Sequence, residues 1–293
     1  MIFGIRRFRH FILFFIVGLF FVIAAPLCAK AQNENRSGSQ ISAPTPGGKD
    51  VSRMLEEIKD ISSSKFGNFN VNTNVSDKHK KTTLAFIFSE YIPGVIKHFS
   101  FEVPDYINVF VIKDKDYRNF LNELGLNYSK MPYGLEIGKN TSVVINADLA
   151  FGSVTYEVMR LLTGFNLPQA PVWIEDGFPY LYETIGIKNG SLVIKSNKRL
   201  GILKKVIDTP DYVSIKDLSV MGKDDFYKGN NAPAAAEARY IMFYLHKKGL
   251  LKRFYREYKA TQLEDKSGIQ ALQKTVGLDI RIFEGEWLAW VRN

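Results

Sequence analysis

Apolar positions along this 293-residue chain recur with two periods, and the change from one to the other divides it. Tyr106–Ile112, reading YINVFVI, is a short, nearly continuous run of β-branched and aromatic residues and predicts a strand. Phe66–Val75 alternates around Phe66 and Phe69 and has the same character. Between these two, Ser76 or Asp77 stands where an N-cap would open a helix running towards His98. Lys115–Leu124 has helical spacing and stops at Gly125. Gly134–Asn146 predicts a hairpin, with Leu135 and Ile137 on one arm, Gly138-Lys139-Asn140 in the turn and Val143, Val144 and Ile145 on the other arm. Upstream, the spacing of Val51, Met54, Leu55, Ile58 and Ile61 predicts a short lead-in helix.

Beyond residue 150 the pattern is almost entirely helical. Phe151–Leu162 is periodic and is expected to end at Gly164. Pro171 precedes a second helix expected from Trp173 to Ile185, and Gly186–Ile194 reads as a small hairpin. An irregular, polar middle comes next. The chain then closes with four helices in a row, Pro233–Lys248, Leu250–Thr261, Gly268–Val276 and Ile280–Val291. Strands first and helices later predict an α+β fold, a small N-terminal mixed sheet with a hairpin followed by a mainly helical half.

Composition (46% hydrophobic, 24% charged) suits a globular domain with a sizeable core, expected over residues 51–293. The first residues are set apart from it. Arg6, Arg7 and Arg9 precede an apolar run from Phe11 to about Ala25, and Ala29-Lys30-Ala31 comes after it, the order of a secretory signal cleaved after Ala31. The alternative is an uncleaved anchor, because Phe11–Ala29 is nearly long enough to cross a bilayer. Either way the chain is expected to be exported, into the periplasm or outside the cell, or held at the inner membrane by residues 11–29. Cys28 lies within this segment, so cleavage leaves no thiol and no disulfide. Gln32–Lys49 is rich in Ser, Gly, Pro, Gln and Asn and predicts a flexible linker over residues 32–50. Removing residues 1–31 removes four basic side chains (Arg6, Arg7, Arg9, Lys30) and no acidic one, lowering the formal charge from +9 to +5. The remaining lysines are spread along the chain without an Arg-rich aromatic stripe, which predicts a solvated basic surface and no nucleic-acid partner.

Two segments carry candidate chemistry: Tyr156-Glu157-Val158-Met159-Arg160, and Trp173-Ile174-Glu175-Asp176-Gly177-Phe178-Pro179-Tyr180. Together they resemble the core of the gluzincin-type, peptidase MA-like metallopeptidases found among exported bacterial proteins. In that family the first helix carries His-Glu-x-x-His, whose histidines bind zinc while the glutamate activates the bound water. A second helix, often Trp-Leu-x-Glu-Gly-Leu-Ala-x-Tyr, brings the third ligand. The resemblance extends softly over about residues 66–293 and implies a zincin, thermolysin-like core. It puts Tyr156 and Arg160 at the histidine positions and Asp176 at the glutamate-ligand position, with Glu157 alone matching the family. Trp173–Tyr180 is its specific part.

This donor set argues against zinc. Arginine has no lone pair to offer at ordinary pH and repels a cation. Tyrosine would have to bind as phenolate, and aspartate is one methylene shorter than glutamate. The expectation is therefore a metallopeptidase-like protein with no metal or other cofactor, in which Arg160 pairs with Asp176 and Glu157 or Tyr156 completes the network. His79, His98 and His246 lack ligand spacing. Glu157, Glu175, Asp176 and Glu183 could supply an acid and base for glycoside cleavage or simply form a solvated face. Trp173, Phe178 and Tyr180 either fill the core or line a cleft. No phosphate loop, nucleophile elbow or Ser-His-Asp order is present. Three functions are open to such a chain: an inactive, exported domain that binds an extended peptide or an envelope protein; a divergent metallopeptidase or other hydrolase using Glu157; or a purely structural envelope protein.

Overall fold

The computed structural model describes residues 40–41, 51–128, 131, 133–137, 141–149, 151–188, 191–228 and 232–293. The expected export segment with Cys28, nearly all of the linker and the turn Gly138-Lys139-Asn140 lie outside the described residues. No described helix is long and apolar enough to cross a membrane.

A mixed sheet holds the first half together. Its strands are β1 (Gln40–Ile41), β2 (Ser62–Phe66), β3 (Phe69–Thr73), β4 (Ile107–Ile112), β5 (Gly134–Ile137) and β6 (Ser142–Asn146), in the order β1-β5-β6-β4-β3-β2. Five of them are substantial, and β1 adds two residues parallel to β5. The hairpins β2–β3 and β5–β6 are antiparallel, whereas β4 runs parallel to both its neighbours, with Val109 opposite Val71 and Val143. The central position of β4 explains its continuous apolar run, since a strand covered on both faces has no solvent side to alternate with.

Side-chain alternation on β6 divides the interior. Val143 and Ile145 join the main core, while Val144, one residue out of phase, joins a smaller cluster with Ile112 and Leu135. That smaller cluster is closed by α1 (Val51–Glu56) through Leu55 and by α4 (Asp114–Glu123) through Tyr117, Phe120 and Leu121. Gly125 ends α4 with φ +70°, the left-handed conformation that a side chain disfavours. On the other face lie α2 (Lys78–Phe86), a π-helical stretch (Ile87–Tyr91) and α3 (Ile92–Phe99). Asp77 caps α2 by accepting from the Lys80 N–H at 2.8 Å.

The helical half begins after the hairpin with α5 (Phe151–Asn166) and α6 (Val172–Tyr180). It continues through α7 (Arg199–Val206), α8 (Ile215–Val220) and α9 (Lys223–Tyr227) to α10 (Ala232–Lys247), α11 (Leu251–Thr261), α12 (Ile269–Val276) and α13 (Ile280–Arg292). Between α6 and α7 sits the antiparallel hairpin β7 (Ile185–Lys188) and β8 (Ser191–Ile194). The α+β expectation therefore holds, as a small mixed sheet and a mostly helical remainder. Among the described residues, the side chains of the two hydrophobic clusters come from residues 51–293.

Three helix ends differ from expectation, the first being α1, which closes at Glu56 before Ile58 and Ile61. Gly164 does not stop α5, because the cost of one helical glycine, about 1 kcal/mol, is offset by the anchoring of Asn166 and Leu167. Asn166 donates to Leu162 O and Glu102 O and accepts from the Glu102 N–H, and Leu167 is buried. In contrast, α6 is α-helical only to Tyr180 and continues as a 3₁₀ turn over Leu181–Glu183, short of Ile185. The buried Arg239 donates to the Tyr180 carbonyl at 3.0 Å and to Lys195 O at 2.7 Å, a cation at a helix C-terminus. The middle read as irregular contains α7, α8 and α9, each too short to show a period, though Ser214 does cap α8 by accepting from the Asp217 N–H.

One buried acid gives the fold a pH dependence. Glu237 on α10 is 1% exposed; its Oε1 accepts from the Val213 N–H at 3.3 Å and its Oε2 has no hydrogen-bond partner among the described residues. Burial, with a further push from Glu284 and only the Val213 N–H opposing, raises it to about 8. A carboxyl raised on folding contributes stability that is complete below its ordinary value of 4.5 and is lost as pH climbs towards about 8. Glu237→Gln should therefore flatten the fall of Tm across that window, measured by thermal melts over the pH series. An unchanged slope would show that Glu237 stays charged.

Candidate functional site

The two segments singled out in the sequence lie side by side on α5 and α6, both buried. Gly177 explains why the second segment has a glycine where it does: a Cβ there would sit 2.8 Å from the Ala238 carbonyl oxygen, so α6 and α10 touch backbone to backbone. At the start of α5, Gly152 lies so close to the Glu183 carbonyl that no side chain fits. Thr155 fastens the same junction by donating to Tyr182 O at 2.5 Å.

Arg160 is 2% exposed, and its guanidinium hydrogen-bonds one carboxylate and lies within ion-pair distance of a second. Nε donates to Glu157 Oε2 at 3.0 Å, one helical turn back, and Nη1 lies 3.5 Å from Glu136 Oε2 on β5. Glu157 and Glu136 are themselves buried. Burial disfavours the guanidinium charge, but Glu157, Glu136, Tyr156 and Asp176 together outweigh it and hold Arg160 well above its ordinary value. It is a cation throughout. The backbone of β5 comes close enough for this only because residue 134 is glycine; a Cβ at Gly134 would stand 2.7 Å from Glu157 Cγ.

The expected ion pair between Arg160 and Asp176 is corrected by this geometry. Arg160 turns to the sheet, where Glu136 offers a second acid, and Asp176 is surrounded by phenols. It accepts from Tyr227 at 2.7 Å and from Tyr156 and Tyr180 at 3.3 Å. Burial, and then the neighbouring Glu175, push Asp176 up to about 6, against the Tyr227 hydrogen bond and the Arg160 and Lys223 charges. Tyr156 stacks on Tyr180 with ring centroids 5.0 Å apart. Burial and the Asp176 charge raise the Tyr156 phenol well above its ordinary value, so it keeps its proton in this network. Glu157, Tyr156 and Asp176 thus belong to adjoining polar groups, and Arg160 influences Asp176 only through space.

Three of the four acidic side chains are paired with cations. Glu175 pairs with Lys223 at 2.7 Å, Glu183 with Arg199 at 3.3 Å, and Glu157 with Arg160. The two-carboxylate arrangement that glycoside cleavage needs is not formed, because each acid except Asp176 has a cation of its own. Among the described residues no three His, Cys, Asp or Glu side chains gather in a way that could hold a metal ion. The candidate cleft-lining residues Trp173, Phe178 and Tyr180 are at most 1% exposed. Trp173 packs on Phe254 and donates to Ser267 O, while Phe178 lies among Phe99, Phe101 and Tyr255. They are core residues, as their helical spacing also allowed.

Sequence reading missed Glu136, Lys223 and Tyr227, which complete the site from β5 and α9. Glu136 did carry a signal: it is an acid inside the apolar arm Leu135–Ile137, buried beside Leu135. Comparison with known families and with individually curated proteins gives no match.

Two substitutions test this geometry. Arg160→Met leaves Glu157 and Glu136 buried without their cation and should cost about 3–5 kcal/mol in chemical denaturation. Gly134→Ala should cost about 1–3 kcal/mol through the forced contact with Glu157. Near-neutral values would mean that β5 and α5 do not pack against each other in this way.

Proposed function

We propose that this is an exported, catalytically inactive domain on a gluzincin-type scaffold, which binds a peptide or partner protein and does not cleave it. The observation that carries the reading is the buried Arg160 cation between Glu157 and Glu136, at the position where the resembling family has its second zinc-binding histidine. A zinc centre needs three electron-pair donors and a glutamate free to take a proton from water. Here one donor position is a cation, another a buried neutral phenol, and the glutamate is engaged by Arg160. The residues do not fit zinc, and no hydrolytic step is derived through it.

Binding draws support from the sheet edge. The outer side of β5 accepts an extended segment, since Gln40–Ile41 pairs along it with Gln40 opposite Glu136. Main-chain pairing of this kind recognises extended peptides with little demand on their side chains. The divergent-hydrolase reading gains nothing from the geometry, because Glu157 faces Arg160. The structural reading shares the filled site and differs only in having no ligand.

The test is the metal content of the purified protein prepared without chelator, followed by a peptidase assay with and without added Zn²⁺. The expected result is no stoichiometric metal and no cleavage under either condition. Tyr156→His, Arg160→His and Asp176→Glu introduced together, with Glu136→Gln to remove the acid that Arg160 neutralised, should recover zinc binding if the scaffold is right. Stoichiometric zinc in the unaltered protein, with activity abolished by Glu157→Gln, would overturn the inactive reading.

A further inference from the structure

The cations that look scattered in the sequence meet at one corner of the molecule. The C-terminal turn of α3 brings Lys97 and His98, the end of α10 brings His246, Lys247 and Lys248, and after Gly249 turns the chain at φ +71° the first turns of α11 bring Lys252, Arg253 and Arg256. Phe99 packs edge-on against Tyr255, which seats α3 on α11. The electrostatics agree with this convergence. Burial and then Lys252 pull His98 down, while burial, Lys247 and His98 pull His246 down.

Helix dipoles account for only part of this corner. Cations suit the C-termini of α3 and α10, but the N-terminus of α11 is the positive end of its helix, where Lys252 and Arg253 are unfavourable. Of the nearby acids, Glu257 pairs with Lys274 and also attracts Arg253 and Arg256, Glu102 pairs with Lys259, each pair at 2.6 Å, and Glu286 acts on Tyr244 from α13, so the cations of the corner outnumber the acids around them. Lys97, Lys247, Lys248, Lys252 and Arg256 form no ion pair among the described residues, and all but the half-buried Lys252 are exposed. A surface that retains this much uncompensated charge is suited to an anionic partner.

Lys97 has a second neighbour. It stands at the rim of an apolar groove of about 500 Å³ between the β2–β3 turn and α3, walled by Phe66, Phe69, Phe88, Pro93, Ile96 and Val103, with no carboxylate in the lining. The π-helical stretch Ile87–Tyr91 passes behind it, placing Phe88 at the base and Ser89 at the rim. Local widening of a helix in this way is frequent where a ligand is met. A soluble polyanion would use the cations and leave the groove empty. An amphiphile uses both.

We propose that the corner formed by α3, α10 and the start of α11, together with the groove beside Lys97, docks on an anionic lipid bilayer, headgroups meeting the cations and acyl chain or glycerol region entering the groove. This contact is independent of the peptide-binding reading and of the N-terminal apolar segment. It would hold the domain against a membrane face without a spanning helix.

The experiment uses the purified full-length protein with vesicles of phosphatidylcholine alone or of equal parts phosphatidylcholine and phosphatidylglycerol, read by co-sedimentation at low and physiological salt. Binding should require phosphatidylglycerol and weaken with salt. The exposed triple variant Lys247→Glu, Lys248→Glu, Arg256→Glu should lose at least about tenfold in affinity, with circular dichroism showing an intact fold. Ser89→Glu, a new charge at the groove rim, should weaken binding without touching the cationic corner. Equal binding to both vesicles, or an unaffected triple variant, would overturn the proposal. So would binding to polyglutamate or RNA without binding to vesicles, which would assign the corner to a soluble polyanion. An effect of the triple variant with none from Ser89→Glu would remove the groove from the contact and overturn that half.

Discussion

A guanidinium buried at 2% exposure must be matched by charge, and that requirement organises the middle of this molecule. Arg160 sits on α5, and its two acids come from different places: Glu157 from one turn back on the same helix, Glu136 from strand β5. The second contact joins the helical half to the sheet. It also explains Gly134, because the strand cannot approach Glu157 closely enough if its first residue has a Cβ. The energetic character of such a site is asymmetric. The intact network contributes little net stability against an apolar replacement, yet losing one member is expensive. The arrangement thus fixes which face of α5 meets β5 more than it adds to overall stability.

Next to it lies a different solution to the same problem. Asp176 is as deeply buried but has phenols around it in place of a cation. Tyr156, Tyr180 and Tyr227 donate to it from α5, α6 and α9, so a five-residue helix with little core of its own beyond Phe226 is fastened over the α5–α6 pair by Tyr227 and by the Lys223–Glu175 ion pair. The two polar groups each join neighbouring elements through a buried polar contact, one between α5 and β5 and the other among α5, α6 and α9.

Much of the fold was legible in the sequence because its strongest signals are local. β4 shows as a continuous apolar run, Asp77 as a cap, Gly125 as a stop, and the four closing helices as regular periods. The illegible features depend on contacts between distant residues. Gly164 looks like a helix terminator and fails to be one because Asn166 is bonded to Glu102, sixty-four positions away. Helix α6 tightens into a 3₁₀ turn where Arg239, far downstream, meets the Tyr180 carbonyl. The site shows the same limit. Tyr156, Glu157, Arg160 and Asp176 were singled out only through the resemblance of their two segments to a known motif, and the partner of Arg160 was not, since Glu136 lies on a strand whose approach to α5 no local pattern reveals. The aromatic residues of α6 were ambiguous between core and cleft for the same reason, and packing by Phe99, Phe254 and Tyr255 decides for core.

Everything said of this helix–sheet junction depends on Arg160 and Glu136 being direct partners across it. A double-mutant cycle with Arg160→Met and Glu136→Gln, followed by urea unfolding, isolates that pairing. Direct contact should give non-additivity of about 1–3 kcal/mol, with the double variant more stable than the sum of the single losses implies. Additivity to within about 0.5 kcal/mol would refute the pairing, because residues that share no interaction show no coupling.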